Sequence, residues 1–150
     1  MTTQHMKALL DACYQAKRVR ELLPALPQGV SPSYIHYLDV IEQLEQRGVR
    51  VKVSDISDAL HLPRPGVTRT VKEMQDKGYL EKTASAEDGR VTYLSITEKG
   101  RALSHTHNTE FFAQLAPLLA DISDDDAACT IRTIEALYTI MSERRITLER

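Results

Sequence analysis

The sequence has only two cysteines, no long apolar run and almost no net charge. Cys13 and Cys129 lie far apart along the chain, which excludes a disulfide framework. No apolar stretch approaches the roughly 20 residues that a membrane helix needs, and no signal peptide is visible. We therefore expect a cytoplasmic protein that has no contact with a membrane.

The spacings that mark catalytic and metal sites are also missing. There is no Cys/His finger spacing, no Ser/His/Asp set and no glycine-rich phosphate loop. His105 and His107 are two residues apart on a predicted helix and so lie on different faces, whereas helical ligand pairs are three or four residues apart. With His36 they could line a site, but partly exposed histidines are the favoured interpretation. We expect no enzymatic activity, no cofactor and no metal.

The length of 150 residues predicts one domain. Composition indicates that this domain is folded, because 42% of the residues are hydrophobic and 27% are charged. The net charge is −2 and the pI is near 6.2, which argues mildly against a nucleic-acid partner. The acidic residues are segregated, however, and a locally basic face is enough to neutralise phosphates. The acidic cluster consists of Asp121, Asp124, Asp125 and Asp126.

The stretch between residues 53 and 100 predicts two short helices across a tight turn, followed by a hairpin. This order is the signature of a winged helix-turn-helix. The predicted elements are a helix over Val53–Leu62, a turn over Pro63–Gly66, a helix over Val67–Lys77 that Gly78 ends, and extended runs over Tyr79–Ala84 and Arg90–Ile96.

Helical periodicity predicts which faces of these two helices are buried. Val67, Val71 and Met74 form one stripe on the second helix, and the first helix has a matching stripe of Ile56, Ala59 and Leu60. The opposite face of the second helix is polar, as in a helix that enters a DNA major groove. An ordinary solvated face is the alternative, but a second helix followed by a wing favours DNA. That face carries Thr68, Arg69, Lys72 and Asp76, with Arg64 and Pro65 near its start.

The predicted wing is a hairpin whose loop contains Asp88-Gly89, a strong hairpin signal. Leu94 and Ile96 share one strand face and are expected to pack inward. Arg90 lies beside the tip and can enter a minor groove, and Asp88 could orient its guanidinium group. An incidental exposed ion pair is the alternative. The predicted DNA-binding residues are Arg64, Pro65, Thr68, Arg69, Lys72, Asp88 and Arg90.

The chain resembles the MarR family of bacterial transcriptional regulators over nearly its whole length. One position departs from the family pattern, because Pro63 stands where the family usually has a serine or threonine that caps the second helix. The residues that carry the resemblance are Ile56, Ala59, Leu60, Leu62, Val67-Thr68-Arg69, Val71, Met74, Gly78-Tyr79-Leu80, Asp88-x-Arg90, Leu94-Ser95-Ile96-Thr97 and Gly100.

Flanking segments predict further helices and a short strand. We expect a helix over residues 4–23, a helix that Ser31-Pro32 begins and Gly48 ends, a strand over Val49–Val53 that pairs with the wing, a long helix from Thr97 to about Pro117, and a last helix capped by Ser123. On that last helix Ala127, Ile131, Ile134, Tyr138 and Met141 recur with heptad spacing, which suits packing against another helix.

The predicted architecture is therefore a mainly α winged helix-turn-helix (about 31–100) with N- and C-terminal dimerisation helices (1–30 and 101–150). The terminal helices could instead fold over the centre of their own chain. A symmetric homodimer is favoured, and the resemblance implies the same. Its partner would be a double-stranded DNA operator, and its expected role is repression.

Regulation by a small aromatic or phenolic ligand is a further expectation, with Tyr34, His36, Tyr37 and Phe111 as the predicted site. One alternative is redox sensing through Cys13, because some members of the family sense peroxides with a first-helix thiolate. Cys129 of the other subunit could then be the resolving partner, although a buried inert thiol is favoured. A winged-helix module that binds protein and no DNA is the other alternative.

Overall fold

The computed structural model describes residues 1–148, which form a mainly helical protein with one small sheet. In chain order the elements are α1 (Thr3–Glu21), α2 (Pro32–Gln46), α3 (Val53–Leu60), α4 (Arg64–Asp76), β1 (Leu80–Ala84), β2 (Thr92–Ile96), α5 (Glu98–Ser104), a π-helix (His105–Glu110), α6 (Phe111–Leu115), a 3-10 helix (Ala116–Leu119) and α7 (Asp124–Glu143). The predicted fold class, mainly α with a winged helix-turn-helix, is confirmed.

The chain divides into two compact units. The central unit is Ala25–Leu115, and the terminal unit consists of Met1–Pro24 and the segment from Ala116 onward. The central unit is larger than the predicted winged region, 31–100, at both ends. The last two residues of the predicted C-terminal dimerisation segment lie outside the described residues.

The core of the central unit is built from one face of each helix and the inner face of the hairpin. The predicted stripe Val67, Val71 and Met74 is fully buried, and each such side chain contributes about 1.5–3 kcal/mol by leaving water. The stripe predicted on α3 is partly wrong, because Ala59 is exposed. The remaining core consists of Tyr34, Tyr37, Leu38, Ile41, Val51, Ile56, Tyr79, Leu80, Leu94, Ile96 and Leu103.

The turn between α3 and α4 differs from the prediction in both position and chemistry. α3 ends at Leu60 because His61 adopts the left-handed conformation (φ 52°). The buried Ser57 hydroxyl closes the turn by donating to Leu62 O at 2.5 Å. α4 then begins at Arg64, so the predicted turn over Pro63–Gly66 is wrong. Pro65 is tolerated in the first turn of α4, because residues in a first helical turn donate no intrahelical hydrogen bond.

The wing is an antiparallel pair whose register runs from Leu80 opposite Ile96 to Ala84 opposite Thr92. This confirms the predicted hairpin, with Leu94 and Ile96 buried. The strand predicted over Val49–Val53 is wrong, because residues 49–52 form no strand and Val53 already begins α3. The segment still contacts the wing, since Leu94 N–H donates to Val51 O at 2.8 Å.

Residues after the wing fix the C-terminal end of α4. Gly78 (φ 81°) turns the chain away from the helix, as predicted. Its carbonyl accepts a hydrogen bond from Thr97 Oγ1 at 2.5 Å, and the carbonyl of Lys77 accepts one from Lys99 Nζ at 2.7 Å. Thr97 also caps α5, where its hydroxyl accepts from Gly100 N–H at 3.1 Å. Residues at the start of α5 therefore hold the C-terminal end of α4.

Replacement of Gly100 by alanine is expected to destabilise this junction strongly. An added Cβ would overlap the carbonyl oxygen of Tyr79 and lie 2.8 Å from Ile96 Cγ2, so α5 would have to move. We expect a loss of about 2–4 kcal/mol in the free energy of unfolding, measured by thermal and urea denaturation.

The matched control is Gly66→Ala in α4, where an added Cβ meets nothing within 4 Å. We expect this variant to be neutral or more stable by up to about 1 kcal/mol. Equal stability of Gly100→Ala and the wild type would contradict the close approach of α5 to the wing.

The long helix predicted after Thr97 is interrupted by the π-helix over His105–Glu110. A polar network fixes this segment to α2, because Asn108 Nδ2 donates to Ile35 O at 3.2 Å and to Ser104 Oγ at 3.0 Å. The fully buried Ser104 in turn donates to Glu42 at 2.9 Å. Helical periodicity does not distinguish this π-helix from a regular α-helix. Pro117 lies in the following 3-10 helix, and the predicted end of the α-helix there is confirmed.

The terminal unit has long helices with apolar rows that this chain leaves exposed. Neither α1 nor α7 has a buried residue. The row predicted on α7 is exposed, with Ile131 at 57%, Ile134 at 44% and Tyr138 at 77%. Of the twenty exposed large apolar side chains among the described residues, seventeen lie in this unit. Exposed apolar surface of this kind is typical of an interaction site.

Candidate nucleic-acid interface

One exposed face of α4 carries the side chains predicted to contact DNA. The buried stripe on the other side fixes the rotation of the helix, so these side chains point to solvent. The exposed residues are Arg64, Pro65, Thr68, Arg69 and Lys72, and the predicted wing contacts Asp88 and Arg90 are exposed as well. The structure therefore presents all seven predicted residues on α4 and the wing of the same unit.

The arginines of this surface are not neutralised by their own chain. Within residues 1–148, the guanidinium groups of Arg64, Arg69 and Arg90 make no hydrogen bond or ion pair. Lys72 Nζ lies 3.0 Å from Asp76 Oδ2, with both side chains more than 60% exposed. An exposed pair of this kind contributes only about 0.3–0.5 kcal/mol. All four cations are therefore available to a polyanion.

The N-terminus of α4 has no side-chain cap, because Pro63 occupies the N-cap position. Val67 N–H bonds to Pro63 O at 3.3 Å, which leaves the N–H groups of Arg64 and Gly66 without an intrahelical acceptor. A serine or threonine cap would use one of these donors. Pro63 at this position therefore leaves donors and the positive end of the helix dipole for an external anion.

The wing tip is ordered by a contact that differs from the predicted one. Asp88 Oδ1 accepts a hydrogen bond from the backbone N–H of Arg90 at 3.0 Å, and Asp88 forms no ion pair with the Arg90 guanidinium group. The hydroxyl of Ser85 accepts from the N–H groups of Glu87 and Asp88 at 3.2 and 3.3 Å. The expectation that Asp88 orients the guanidinium is corrected, because its carboxylate holds the backbone of the loop.

A hydrogen-bond network behind α4 was missed by sequence reasoning. Tyr34 OH donates to Glu73 Oε2 at 3.1 Å and accepts from Lys77 Nζ at 3.2 Å. Lys77 Nζ also donates to Gly29 O at 2.6 Å. The available signal was the pair Glu73 and Lys77, which are four residues apart at the C-terminal end of α4, where Lys77 is the C-cap. This network joins the loop before α2 to the C-terminal half of α4.

The four predicted ligand-binding residues differ in their exposure to solvent. Tyr34 and Tyr37 belong to the core, whereas His36 lies on the exposed side of α2. Phe111 is half-buried and packs edge-on against Phe112, with ring centroids 5.1 Å apart. The role of these side chains in ligand binding stays a prediction.

The remaining candidates are scattered. Cys13 is half-buried and Cys129 is exposed, and both thiols are free, so a redox role stays a prediction. His105 Nε2 lies 3.2 Å from Glu110 Oε1. Among residues 1–148, no three His, Cys, Asp or Glu side chains are arranged to hold a metal ion. In the same residues, no helix has both the length and the apolarity to cross a membrane.

Comparison with known proteins shows which proteins this chain is similar to. Residues 28–91 match the model of the MarR family. The chain is 24% identical over 98 residues to an uncharacterized HTH-type transcriptional regulator, YdgJ, of Bacillus subtilis, covering 65% of this chain and 57% of YdgJ. It is 32% identical over 73 residues to the transcriptional repressor MprA of Escherichia coli, covering 49% of this chain and 40% of MprA. The alignments thus span about half the length of these relatives.

A solved structure shares the fold over almost the whole chain. It is FabT of Streptococcus pneumoniae in complex with DNA, with a TM-score of 0.67 and 24% identity, covering 95% of this chain and 99% of FabT. The family match covers the helix-turn-helix and the wing tip, where the exposed cations lie. The chain therefore has a winged helix-turn-helix fold, and its residues 28–91 are similar to the MarR family.

Proposed function

We propose that this protein binds double-stranded DNA as a transcriptional regulator, with α4 in the major groove and the wing tip in the minor groove. The observation that carries the proposal is the set of unpaired arginines, Arg64, Arg69 and Arg90, on α4 and the adjacent wing. Helices of this kind read base edges with such side chains, and a wing arginine suits a narrow minor groove. The DNA complex of the similar FabT supports the proposal.

The active form in this proposal is a homodimer built through α1 and α7. The support is the exposed apolar surface of the terminal unit, which includes Met6, Leu10 and the row on α7. Heptad spacing along that row suits a helix-to-helix contact. A two-fold dimer would place two copies of α4 on half-sites about one helical turn, ~34–36 Å, apart.

We further infer that the protein represses its target genes and responds to a small aromatic or phenolic ligand. Repression is supported by the named role of the similar MprA. A ligand can act only by binding the DNA-competent and incompetent forms with different affinity. Tyr34 offers such a mechanism, because a phenol that competes for Glu73 or Lys77 would loosen the network behind α4.

A salt titration of duplex DNA binding tests this function. A duplex chosen from a random pool should bind with an affinity whose logarithm falls linearly with the logarithm of salt concentration, with a slope of about −0.9 per neutralised phosphate. A winged-helix module that binds only protein would show no such binding. That alternative suits the acidic pI but leaves Arg69, Lys72 and Arg90 unexplained.

Replacement of Asp88 tests the wing tip. Asp88→Ala removes the acceptor for Arg90 N–H, so the loop that carries Arg90 loses order and DNA binding should weaken by roughly 2- to 5-fold, less than in Arg90→Ala. Asp88→Asn keeps the acceptor oxygen and should bind almost as well as the wild type. A defect in Asp88→Asn as large as that in Asp88→Ala would show that the charge matters instead of the turn.

A further inference from the structure

A shallow cavity of about 280 Å³ lies beside the two strands of the wing, apart from the residues predicted to contact DNA. One wall is the segment that joins α2 to α3, and the other is formed by the two strands. The hydrogen bond from Leu94 N–H to Val51 O holds the walls together. The polar residues that line the cavity are Glu45, Arg50, Thr83, Tyr93 and Ser95.

Arg50 is positioned in this cavity by an aromatic ring. Its guanidinium carbon lies 3.9 Å from the centroid of the Tyr93 ring, and within residues 1–148 the group has no carboxylate partner. Stacking on the ring fixes the plane of the guanidinium while its N–H edge stays free for an anion. Sequence analysis did not single out Arg50, because its position depends on Tyr93, 43 residues later in the chain.

The other polar groups make the cavity suitable for an anion. The carboxylate of Glu45 is paired with Arg101 at 3.0 Å. Ser95 Oγ donates to Glu81 Oε1 at 3.3 Å, so the Ser95 hydroxyl does not donate to a ligand in this arrangement. The hydroxyl of Thr83, the cross-strand neighbour of Tyr93, makes no hydrogen bond within the described chain and can donate. A guanidinium and a hydroxyl are both common donors to phosphate oxygens.

We propose that Arg50, held on Tyr93, binds a backbone phosphate of the DNA strand that borders the minor groove entered by the wing, with Thr83 as a second donor. This inference rests on the proposed function. Tyr93 follows Arg90 by three residues, roughly 10 Å along an extended chain. A DNA strand carries a phosphate about every 3.4 Å along the helix axis. The strand that the wing tip contacts therefore has further phosphates within about 10 Å of the one nearest the tip. Arg50 adds affinity and no base specificity.

The test is a salt titration of the full-length protein on a duplex selected from a random pool. Arg50→Gln should weaken binding roughly 3- to 10-fold and make the salt slope shallower by about one per bound subunit. Arg47→Gln is the matched control, since it removes an exposed cation from the same segment without a ring contact, and its slope should stay unchanged. Thermal stability of each variant is measured first.

Variants of Tyr93 test whether the ring positions Arg50, because they leave the charge of Arg50 unchanged. Tyr93→Phe keeps the ring and should bind like the wild type, whereas Tyr93→Leu should reproduce part of the Arg50→Gln defect. Combining Tyr93→Leu with Arg50→Gln should add nothing, because both changes act on one contact. An additive double variant would overturn the positioning role.

The outcomes distinguish this site from the proposed function as a whole. If the wild type binds no duplex, the proposed function fails. If the wild type binds and Arg50→Gln keeps the full slope, or Arg47→Gln loses as much as Arg50→Gln, only the Arg50 site fails. Inorganic phosphate without DNA should give no Arg50-dependent thermal shift, and a saturable shift would assign the cavity to free phosphate instead.

Discussion

Replacing both Arg69 and Arg90 with alanine is expected to abolish sequence-specific DNA binding without changing thermal stability. Arg69 lies on the exposed face of α4, so Arg69→Ala should cost about 1–3 kcal/mol per subunit and relax preference at one base position. Arg90 lies on the wing, so Arg90→Ala should weaken binding to most sequences and lower the salt slope by about one. Neither side chain has an intrachain partner within residues 1–148 whose loss would affect folding.

Binding is measured by fluorescence anisotropy on the selected duplex and on a scrambled duplex across a range of salt concentrations. Arg132→Ala is the control, because it removes an exposed cation from α7 and should leave both curves unchanged. Full affinity in the double variant, with stability intact, would contradict both groove assignments and DNA binding itself.

Charged substitutions on the apolar row of α7 are expected to dissociate the protein and, with it, most of its DNA affinity. Ile131 and Ile134 are exposed in the single chain, and changing both to glutamate would place repelling charges where we propose that two copies meet. The mass in sedimentation should fall from twice 16.9 kDa to 16.9 kDa. Because two linked half-sites bind far more tightly than one, affinity should fall by roughly 10²- to 10⁴-fold.

The control for this experiment is Ala136→Glu. Ala136 is exposed and lies about half a turn around α7 from the row, so a charge there should leave the mass and the affinity unchanged. A second test removes residues 124–150, which we expect to leave an aggregating or unfolded chain. A stable dimer of the double glutamate variant, or a folded monomeric core with intact DNA affinity, would contradict dimerisation through α7.

Local sequence patterns predicted most of the elements and much of the candidate interface. Caps and stops such as Ser31, Thr97, Ser123 and Gly78 mark helix ends because their chemistry acts within a few residues. The apolar stripe of α4 is by itself enough to predict the exposed side of that helix, and so the direction of Arg69. Helical periodicity suffices for this, because burial of one face decides which side chains meet solvent.

Features that depend on distant parts of the chain required the tertiary structure. The left-handed His61 and the early start of α4 occur together with a hydrogen bond from Ser57 to Leu62, five residues away, that closes the turn. The hairpin signal singles out Asp88, but which donor its carboxylate meets depends on the fold of the loop.

The contacts of Tyr34 with Glu73 and of Arg50 with Tyr93 join residues about 40 positions apart. Periodicity carries no information at that separation, because such pairs meet only when packed helices and strands bring them together. The sequence by itself thus determined the fold class, the winged helix-turn-helix and the cations that it exposes. Only the tertiary structure decided which contact orders the loop that carries Arg90, and that Arg50 stacks on Tyr93.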